Sequence, residues 1–196
     1  MDPLQLSFDE NPKQFTGIMY RTAFDWLSMM PLADRPINYL EIGAFYGANV
    51  MTVCETYAKH NDSKVFTIDP WEDYDEYSEY KGRQPQTYEL FKQNVEPYGD
   101  KVVVTRGYSH QKIPLFPDAF FDMIYIDGNH EPEFVLEDAV LSFRKLKVGG
   151  FLIFDDFGWG GPDMTTRGIM AFLQAYHKRV KLLGEKNTQI FCVKER

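Results

Sequence analysis

The sequence predicts an α/β fold built on a mostly parallel β-sheet. Short apolar runs of strand length alternate with longer runs in which apolar residues recur at helical spacing. The last two strand-like runs are adjacent, which predicts a closing antiparallel hairpin. At 196 residues the chain has the length of one domain with a full hydrophobic core. We predict a single domain over residues 1–196, with a helical cap at 1–36 and a core at 37–196.

Each predicted element follows from its own run of residues. The strands are predicted at 37–42, 63–69, 101–105, 121–126, 151–154, 180–183 and 189–193. The helices are predicted at 13–30, 48–60, 86–95, 132–146 and 165–178, with Gly149 and Gly150 ending the fourth. Parallel strands present their carboxyl ends at one edge, and open α/β sheets bind ligands there. Acids or glycines follow five of these strands, so that edge is the predicted functional site.

Composition narrows the classes of partner. The chain has 21 Lys and Arg against 29 Asp and Glu, a net charge of −8, so we expect no nucleic-acid partner. No apolar run has the length of a membrane span, and the N-terminus lacks the basic region of a signal peptide. Cys54 and Cys192 lie in apolar runs. We therefore expect a cytoplasmic protein without a membrane partner or a disulfide, and homo-oligomerisation stays open.

A glycine turn follows the first predicted strand. It reads E-x-G-x-x-x-G, from Glu41 through Gly43 to Gly47. A dinucleotide fingerprint requires a second glycine where this chain has Phe45, and the phenyl ring would block close approach of a diphosphate. The turn therefore favours a cofactor without phosphate.

A cofactor with an amino-acid end fits the charges around this turn. Glu41 would attract its ammonium, and the N-terminus of the next helix would receive its carboxylate. Asn49, in the first turn of that helix, adds a side-chain donor. Asp69, at the end of the second strand, can accept hydrogen bonds from two ribose hydroxyls.

With these residues the chain resembles the class I S-adenosylmethionine-dependent methyltransferases, from residue 39 to the C-terminus. The resemblance implies a Rossmann-like, doubly wound sheet of seven strands with helices on both faces, and S-adenosylmethionine as the cofactor. It implies an adenine contact from Ser109, which could equally be a helix N-cap, and Trp71 could stack on the adenine. The candidate cofactor-binding residues are Glu41, Gly43, Tyr46, Gly47, Asn49, Asp69, Trp71, Ser109 and Asp127.

A second group of acids follows the fourth and fifth strands. Asp127 and His130 lie after the fourth strand, and Asp155 and Asp156 after the fifth. Clustered carboxylates without a cationic neighbour need protonation, separation or a bound cation. Oxygen ligands favour Mg²⁺, with Ca²⁺ or Mn²⁺ as alternatives. The other interpretation is that the acids serve as turn or cap residues and that His130 lies in a surface loop.

The pattern I-D-G-x-H followed by G-G-x-L-x-x-D-D is similar to a branch of that family. This branch includes catechol-type, macrolide-sugar and cephalosporin-cluster methyltransferases. The resemblance implies that Asp127, Asp155 and Asp156 hold a divalent metal that binds the substrate hydroxyl, and that Asp127 and His130 are catalytic, with His130 as the base. Asp156 stands where catechol-type enzymes often have Asn.

The predicted function is metal-assisted O-methylation of a small polar molecule that carries a hydroxyl, such as a sugar or secondary metabolite. One alternative is a metal-independent methyltransferase with His130 as the base. Another is a non-catalytic subunit that binds S-adenosylmethionine. The acidic and aromatic segment 71–80 is predicted to be either a substrate lid or a solvated loop, and 157–162 is a second candidate lid.

Overall fold

A computed structural model of the chain describes residues 22–74 and 81–196. Residues 13–21 of the first predicted helix and residues 75–80 of the predicted lid lie outside these ranges. The described end of that helix is a 3₁₀-helix, Thr22–Ser28.

Seven strands form one sheet, as predicted. They are β1 (Asn38–Ile42), β2 (Lys64–Asp69), β3 (Val102–Arg106), β4 (Phe121–Ile126), β5 (Leu146–Phe154), β6 (Val180–Lys186) and β7 (Gln189–Lys194). Their order is β3-β2-β1-β4-β5-β7-β6, and β7 is antiparallel to both of its neighbours. The strand order reverses direction between β1 and β4, which opens a crevice at their carboxyl ends.

Helices cover both faces of the sheet, again as predicted. They are α1 (Ala48–Glu55), α2 (Gln84–Val95), α3 (Ser109–Lys112), α4 (Pro132–Lys145) and α5 (Thr165–Tyr176), with short 3₁₀-helices at Glu96–Lys101 and Ile113–Leu115. Successive strand side chains point to opposite faces. Tyr39 therefore joins one buried cluster with Trp26, and Leu40 joins the other with Phe143.

The predicted role of Gly149 and Gly150 is wrong. Helix α4 ends at Lys145, and β5 runs through both glycines. Phe121 pairs with Leu146 but Met123 pairs with Phe151, so β5 advances five residues while β4 advances two. The extra residues form a bulge, because both ends of β5 pair with β4 and the chain between them must loop out.

Two other elements have boundaries that differ from the predicted ones. Helix α1 ends at Glu55 instead of residue 60, because Thr56 leaves helical geometry at φ −118° and ψ −91°. The closing hairpin is longer than predicted. Its turn residues, Asn187 and Thr188, have φ of 50° and 62°, which suits a tight two-residue hairpin loop.

The described residues include no helix with the length and apolar character needed to cross a membrane. Cys54 and Cys192 are both buried and free, and they belong to different buried clusters.

Candidate active site

The glycine turn packs directly on the backbone that follows β4. Gly43 has a φ of +83°, and a Cβ at this position would lie 1.8 Å from the carbonyl oxygen of Asp127. A side chain is therefore excluded by both sterics and backbone conformation. Gly47, at φ +84°, is the N-cap of α1. The two groups of residues singled out by the sequence are thus in contact.

Glu41, near the end of β1, is buried. Its side chain is 2% exposed. The Tyr39 hydroxyl donates a hydrogen bond of 2.6 Å to its Oε2, and the Asn49 amide donates another of 3.1 Å. Burial raises the pKa of Glu41 to about 8, although both hydrogen bonds oppose the rise. A cation beside this carboxyl would favour its ionised form.

Asp69 ties the glycine turn to the end of β2. Its Oδ2 accepts hydrogen bonds from the backbone N–H groups of Ala44 and Phe45, both at 2.9 Å, and its Oδ1 accepts one from Trp71 at 2.7 Å. Burial raises the pKa of Asp69, and these bonds act against that rise. Oδ2 already accepts two hydrogen bonds, whereas Oδ1 accepts one and can accept a second from a ribose hydroxyl.

Trp71 lies under the turn. Its indole is 1% exposed, and its ring centre is 4.7 Å from those of both Tyr88 and Phe91. The indole N–H donates to the carbonyl of Phe45 at 2.9 Å. In this structure the ring supports the turn, so its stacking on adenine stays a prediction.

Tyr46 lies within the turn, and Ser109 lies on a separate element after β3. Tyr46 is buried, and its carbonyl accepts a hydrogen bond from Asn94 at 2.7 Å. Ser109 is the first residue of α3, and Tyr108 is the N-cap, so the N-cap interpretation of Ser109 is wrong. The Ser109 side chain instead bonds to the carboxyl of Asp138, which is 3% exposed. Burial raises the pKa of Asp138 to about 7.

Asp127, His130 and Asp156 converge at the carboxyl ends of β4 and β5. Each offers one ligand atom, and these atoms lie within 4.8 Å of one another. His130 Nε2 is 2.8 Å from Asp156 Oδ2. The imidazole ring lies 4.6 Å from the ring of Trp159 and His130 is 8% exposed, so His130 is not a surface loop residue.

Asp155 belongs to the same cluster but is held differently. Its Oδ2 accepts a hydrogen bond from the Tyr125 hydroxyl, and its Oδ1 accepts one of 2.8 Å from the backbone N–H of Asp156. Of the three predicted metal ligands, Asp127 and Asp156 therefore converge with His130. Asp155 contacts the side chains of Tyr125 and Gln189.

The acids of the cluster disfavour one another's ionisation. Burial raises the pKa of Asp127 well above its usual value, and repulsion from Asp155, Asp156 and Glu41 adds to the rise. Burial and repulsion from Asp156 likewise raise the pKa of Asp155. Among the ion pairs of residues 22–74 and 81–196, none joins these acids to a lysine or arginine. A bound cation would relieve this repulsion.

Besides the hairpin turn of Asn187 and Thr188, three residues at this edge have left-handed backbone conformations without being glycine. Phe45, Trp71 and Asp156 have φ of 46°, 44° and 56°. Such conformations cost free energy and concentrate at functional sites. Their positions in the turn, after β2 and after β5 agree with the predicted functional edge.

Sequence reasoning missed the residues that hold the acids in place. Tyr39 lies two positions before Glu41 on β1, and Tyr125 lies two positions before Asp127, the first residue after β4. Residues two apart share a face of the sheet, so this spacing could have identified both tyrosines. Gln189 has no local signal. Its partner Trp26 is 163 residues away in sequence.

A cavity of about 270 Å³ lies apart from this cluster. Its lining includes Ile37, Asp122 and Lys147, which belong to the amino ends of β1, β4 and β5. It is therefore at the opposite edge of the sheet from the acids.

Comparison with known proteins identifies relatives. A family model described as a methyltransferase domain, Methyltransf_24, matches residues 40–157. The O-methyltransferase hkm8 of Aspergillus hancockii is 28% identical over 131 residues, which cover 67% of this chain and 47% of that protein. The chain thus matches about half the length of this relative.

Two solved structures illustrate the similarity of fold. One is the O-methyltransferase TomG of Streptomyces achromogenes, involved in tomaymycin synthesis and solved with S-adenosylmethionine. It has a TM-score of 0.67 and 16% identity, covering 100% of this chain and 91% of TomG. The other is an rRNA methylase of Streptococcus thermophilus, with a TM-score of 0.62 and 14% identity, covering 92% and 100%. Because the family model matches more than half of its length, the chain belongs to the Methyltransf_24 family of methyltransferase domains, with the class I methyltransferase fold.

Proposed function

We propose that the chain is an S-adenosylmethionine-dependent O-methyltransferase for a small polar molecule that carries a hydroxyl, such as a sugar or secondary metabolite. One observation carries the proposal: the glycine turn is in contact with the backbone of Asp127. The contact is so close that a Cβ added to Gly43 would lie 1.8 Å from the Asp127 carbonyl oxygen. Methyl transfer is an in-line displacement that depends on holding donor and acceptor together. The contact puts the cofactor turn beside the cluster that would hold the acceptor.

The cofactor would be bound by the residues around the turn. Glu41 would face the ammonium of its methionine end, and the backbone from Gly43 to Gly47 would follow its chain. Asp69 would accept the ribose hydroxyls, and Ser109 would contact the adenine. Asn49 donates to Glu41 in the structure, so we assign it to orienting that acid.

The second part of the proposal is a divalent cation at Asp127 and Asp156, with His130 or Asp155 beside them. Carboxylate oxygens suit Mg²⁺ or Mn²⁺. When bound, the ion would contact the acceptor hydroxyl and lower its pKa. The chain's own part is to supply negative charge and to exclude water, with Trp159 covering the imidazole.

His130 is the proposed base for the acceptor hydroxyl. A histidine can exchange a proton near neutral pH, and a carboxylate beside it fixes the orientation of the ring. The 2.8 Å contact between His130 Nε2 and Asp156 Oδ2 provides that orientation. The same pair favours a second candidate function, a methyltransferase that needs no metal.

The first test is cofactor binding. We expect isothermal titration calorimetry to give a micromolar affinity for S-adenosylhomocysteine, and Asp69→Ala to weaken it strongly. Asp62→Asn is the control, because this acid is 83% exposed on the far side of β2. No binding at millimolar cofactor would contradict the proposed function. Binding without methyl transfer to any hydroxyl of a broad acceptor panel would identify a non-catalytic binding subunit.

The second test separates the two catalytic modes. With an acceptor found in the panel, we expect excess chelator to abolish turnover and Mn²⁺ to restore it. Asp127→Asn should abolish turnover while the affinity for S-adenosylhomocysteine stays within about threefold, because metal and cofactor use different atoms. Full activity in chelator would select the metal-independent mode. Full activity of Asp127→Asn would show that the cluster is not the reaction centre.

The acceptor is expected to be neutral or cationic. The net charge of −8 and the acids of the cluster repel phosphates, which disfavours nucleotides and nucleic acids. Polyhydroxyl acceptors fit a cluster of hydrogen-bond acceptors.

A further inference from the structure

A chain of buried hydrogen bonds connects the 3₁₀-helix Thr22–Ser28 to the acidic cluster. The indole N–H of Trp26 donates to Gln189 Oε1 at 2.7 Å, and Gln189 Nε2 donates to the Tyr125 hydroxyl at 3.2 Å. The Tyr125 hydroxyl then donates to Asp155 Oδ2. Trp26, Gln189 and Tyr125 are each at most 1% exposed, so water does not compete for these bonds.

Trp26 determines which group donates and which accepts in each of these hydrogen bonds. An indole N–H is a donor only, so the oxygen of the Gln189 amide must face it. The amide nitrogen must then face Tyr125, whose oxygen accepts. The single hydrogen of the Tyr125 hydroxyl is thereby directed at the acids of the cluster, where Asp155 Oδ2 accepts it and the carboxyl of Asp127 is a second neighbour.

The chain continues through Asp155 to the proposed base. Asp155 Oδ1 accepts the backbone N–H of Asp156 at 2.8 Å, and Asp156 has a strained φ of 56°. A fixed acceptor at Asp155 stabilises this left-handed turn. The turn in turn directs Asp156 Oδ2 to His130 Nε2, 2.8 Å away.

We propose that Trp26, Gln189 and Tyr125 are positioning residues of the active site, which hold Asp155 and through it the Asp156–His130 pair. Without the indole N–H, the amide of Gln189 can rotate by half a turn and accept the Tyr125 hydrogen itself. Asp155 then loses its two side-chain donors, the Tyr125 hydroxyl and the Gln189 amide, and keeps the backbone N–H of Asp156. The turn at Asp156 thereby loses a fixed acceptor. The consequence for catalysis rests on the proposed function, whereas the geometry of the pair does not.

The 3₁₀-helix is firmly attached, so its indole can act as a fixed reference point. The Trp26 ring packs against the rings of Tyr39, Tyr57 and Tyr125, at centre distances of 6.4, 6.0 and 5.1 Å. The backbone N–H of Ala23 donates to Asn49 at 3.0 Å.

The test uses Trp26→Phe and Tyr125→Phe, which keep an aromatic ring and remove one hydrogen-bonding group each. Leu27→Ala is the control, since Leu27 is in the same 3₁₀-helix but 46% exposed. We expect the NMR signals of the His130 ring, assigned with His130→Gln, to shift in both Phe variants and not in the control. We expect Mn²⁺ affinity, measured by electron paramagnetic resonance, to fall about tenfold or more in both, with the affinity for S-adenosylhomocysteine within twofold of wild type.

The double variant tests whether Trp26 and Tyr125 act through the same series of hydrogen bonds. Because both substitutions interrupt the same path, the loss of Mn²⁺ affinity in Trp26→Phe/Tyr125→Phe should equal that of one single variant rather than their product. Additive losses, or an unchanged His130 ring in Trp26→Phe, would overturn the proposal. If Trp26→Phe does not fold, Tyr125→Phe and Gln189→Leu carry the same comparison. If the wild-type protein binds no Mn²⁺, the proposed metal site is wrong. The NMR signals of His130 still test whether the buried hydrogen bonds position the Asp156–His130 pair.

Discussion

Glu41 shows how burial changes the protonation of an acid. Its carboxyl is held by Tyr39 and Asn49 and stays protonated up to a pKa of about 8 because burial disfavours its charge. The pKa values of Asp127 and Asp155 are also raised, first by burial and then by repulsion from neighbouring carboxylates. At the scale of single residues, burial and repulsion disfavour the ionised carboxylates, and a cation bound beside them would favour their ionised form.

Glu41→Gln should make folding stability less dependent on pH. Between the ordinary pKa of 4.5 and the folded value of about 8, the folded chain keeps a proton that the unfolded chain releases. The free energy of unfolding of the wild type therefore falls as the pH rises through this window. We expect the difference between wild type and Glu41→Gln to change by a few kcal/mol, roughly, from pH 5 to pH 8.

Urea unfolding at several pH values measures this difference. Glu185→Gln is the control, because Glu185 is exposed on β6. Parallel pH curves for the wild type and Glu41→Gln would show that Glu41 does not titrate across this window.

At the scale of elements, strand β7 terminates helix α4. The Nζ of Lys194 is 2.7 Å from the carbonyl oxygens of both Phe143 and Leu146, at the end of that helix. It also lies 4.5 Å from the centre of the Phe143 ring. These carbonyls have no partner within the helix, and a cation there also complements the helix dipole. The contact explains why α4 stops before the bulge of β5.

Lys194→Met should destabilise the fold by about 1–3 kcal/mol, because two buried carbonyls lose their donor. Chemical denaturation monitored by circular dichroism measures the loss. The control is Lys181→Met, an exposed lysine on β6, which should change stability by less than about 0.5 kcal/mol. Equal effects of the two substitutions would show that the cap contributes nothing.

At the scale of the molecule, the two edges of the sheet have different roles. The carboxyl edge carries the acids, the left-handed residues and the glycine turn. The amino edge carries Asp122, whose carboxylate accepts hydrogen bonds from Lys147 and Arg35 at 2.8 Å and from the backbone of Asn38 at 2.9 Å. Burial alone would raise the pKa of Asp122, but these donors outweigh it and lower the pKa. The contacts of Asp122 at the amino edge therefore stabilise the fold.

Asp122→Asn should reduce stability without affecting the site. We expect a loss of about 1–3 kcal/mol at pH 7, small because Arg35 and Lys147 are largely exposed to solvent. Since the folded pKa is lowered, the wild-type advantage should be present at neutral pH and disappear as the pH falls through that pKa.

Urea unfolding at pH 7 and at acidic pH measures the stability, and calorimetry with S-adenosylhomocysteine measures the site. The cofactor affinity should stay within twofold of wild type. A large loss of affinity would show that the two edges are coupled, which the present arrangement does not predict.

Local pattern was enough to predict the alternating elements, the parallel sheet, the closing hairpin and the edge that carries the acids. These features follow from side-chain periodicity and from turn residues, which act over a few positions. The predicted start of β5 at residue 151 is wrong, because Gly149 and Gly150 suggest a helix stop, whereas pairing of β5 with β4 from Leu146 onward places them in a bulge.

The sequence by itself determined which residues reach the carboxyl edge, because strand periodicity and strand ends place Glu41, Asp69 and Asp127 there. Only the tertiary structure decided how they are held. Trp26 meets Gln189 across 163 residues, since β7 inserts beside β5 and brings that amide next to Tyr125. Such contacts depend on strand order and register, which local spacing does not encode.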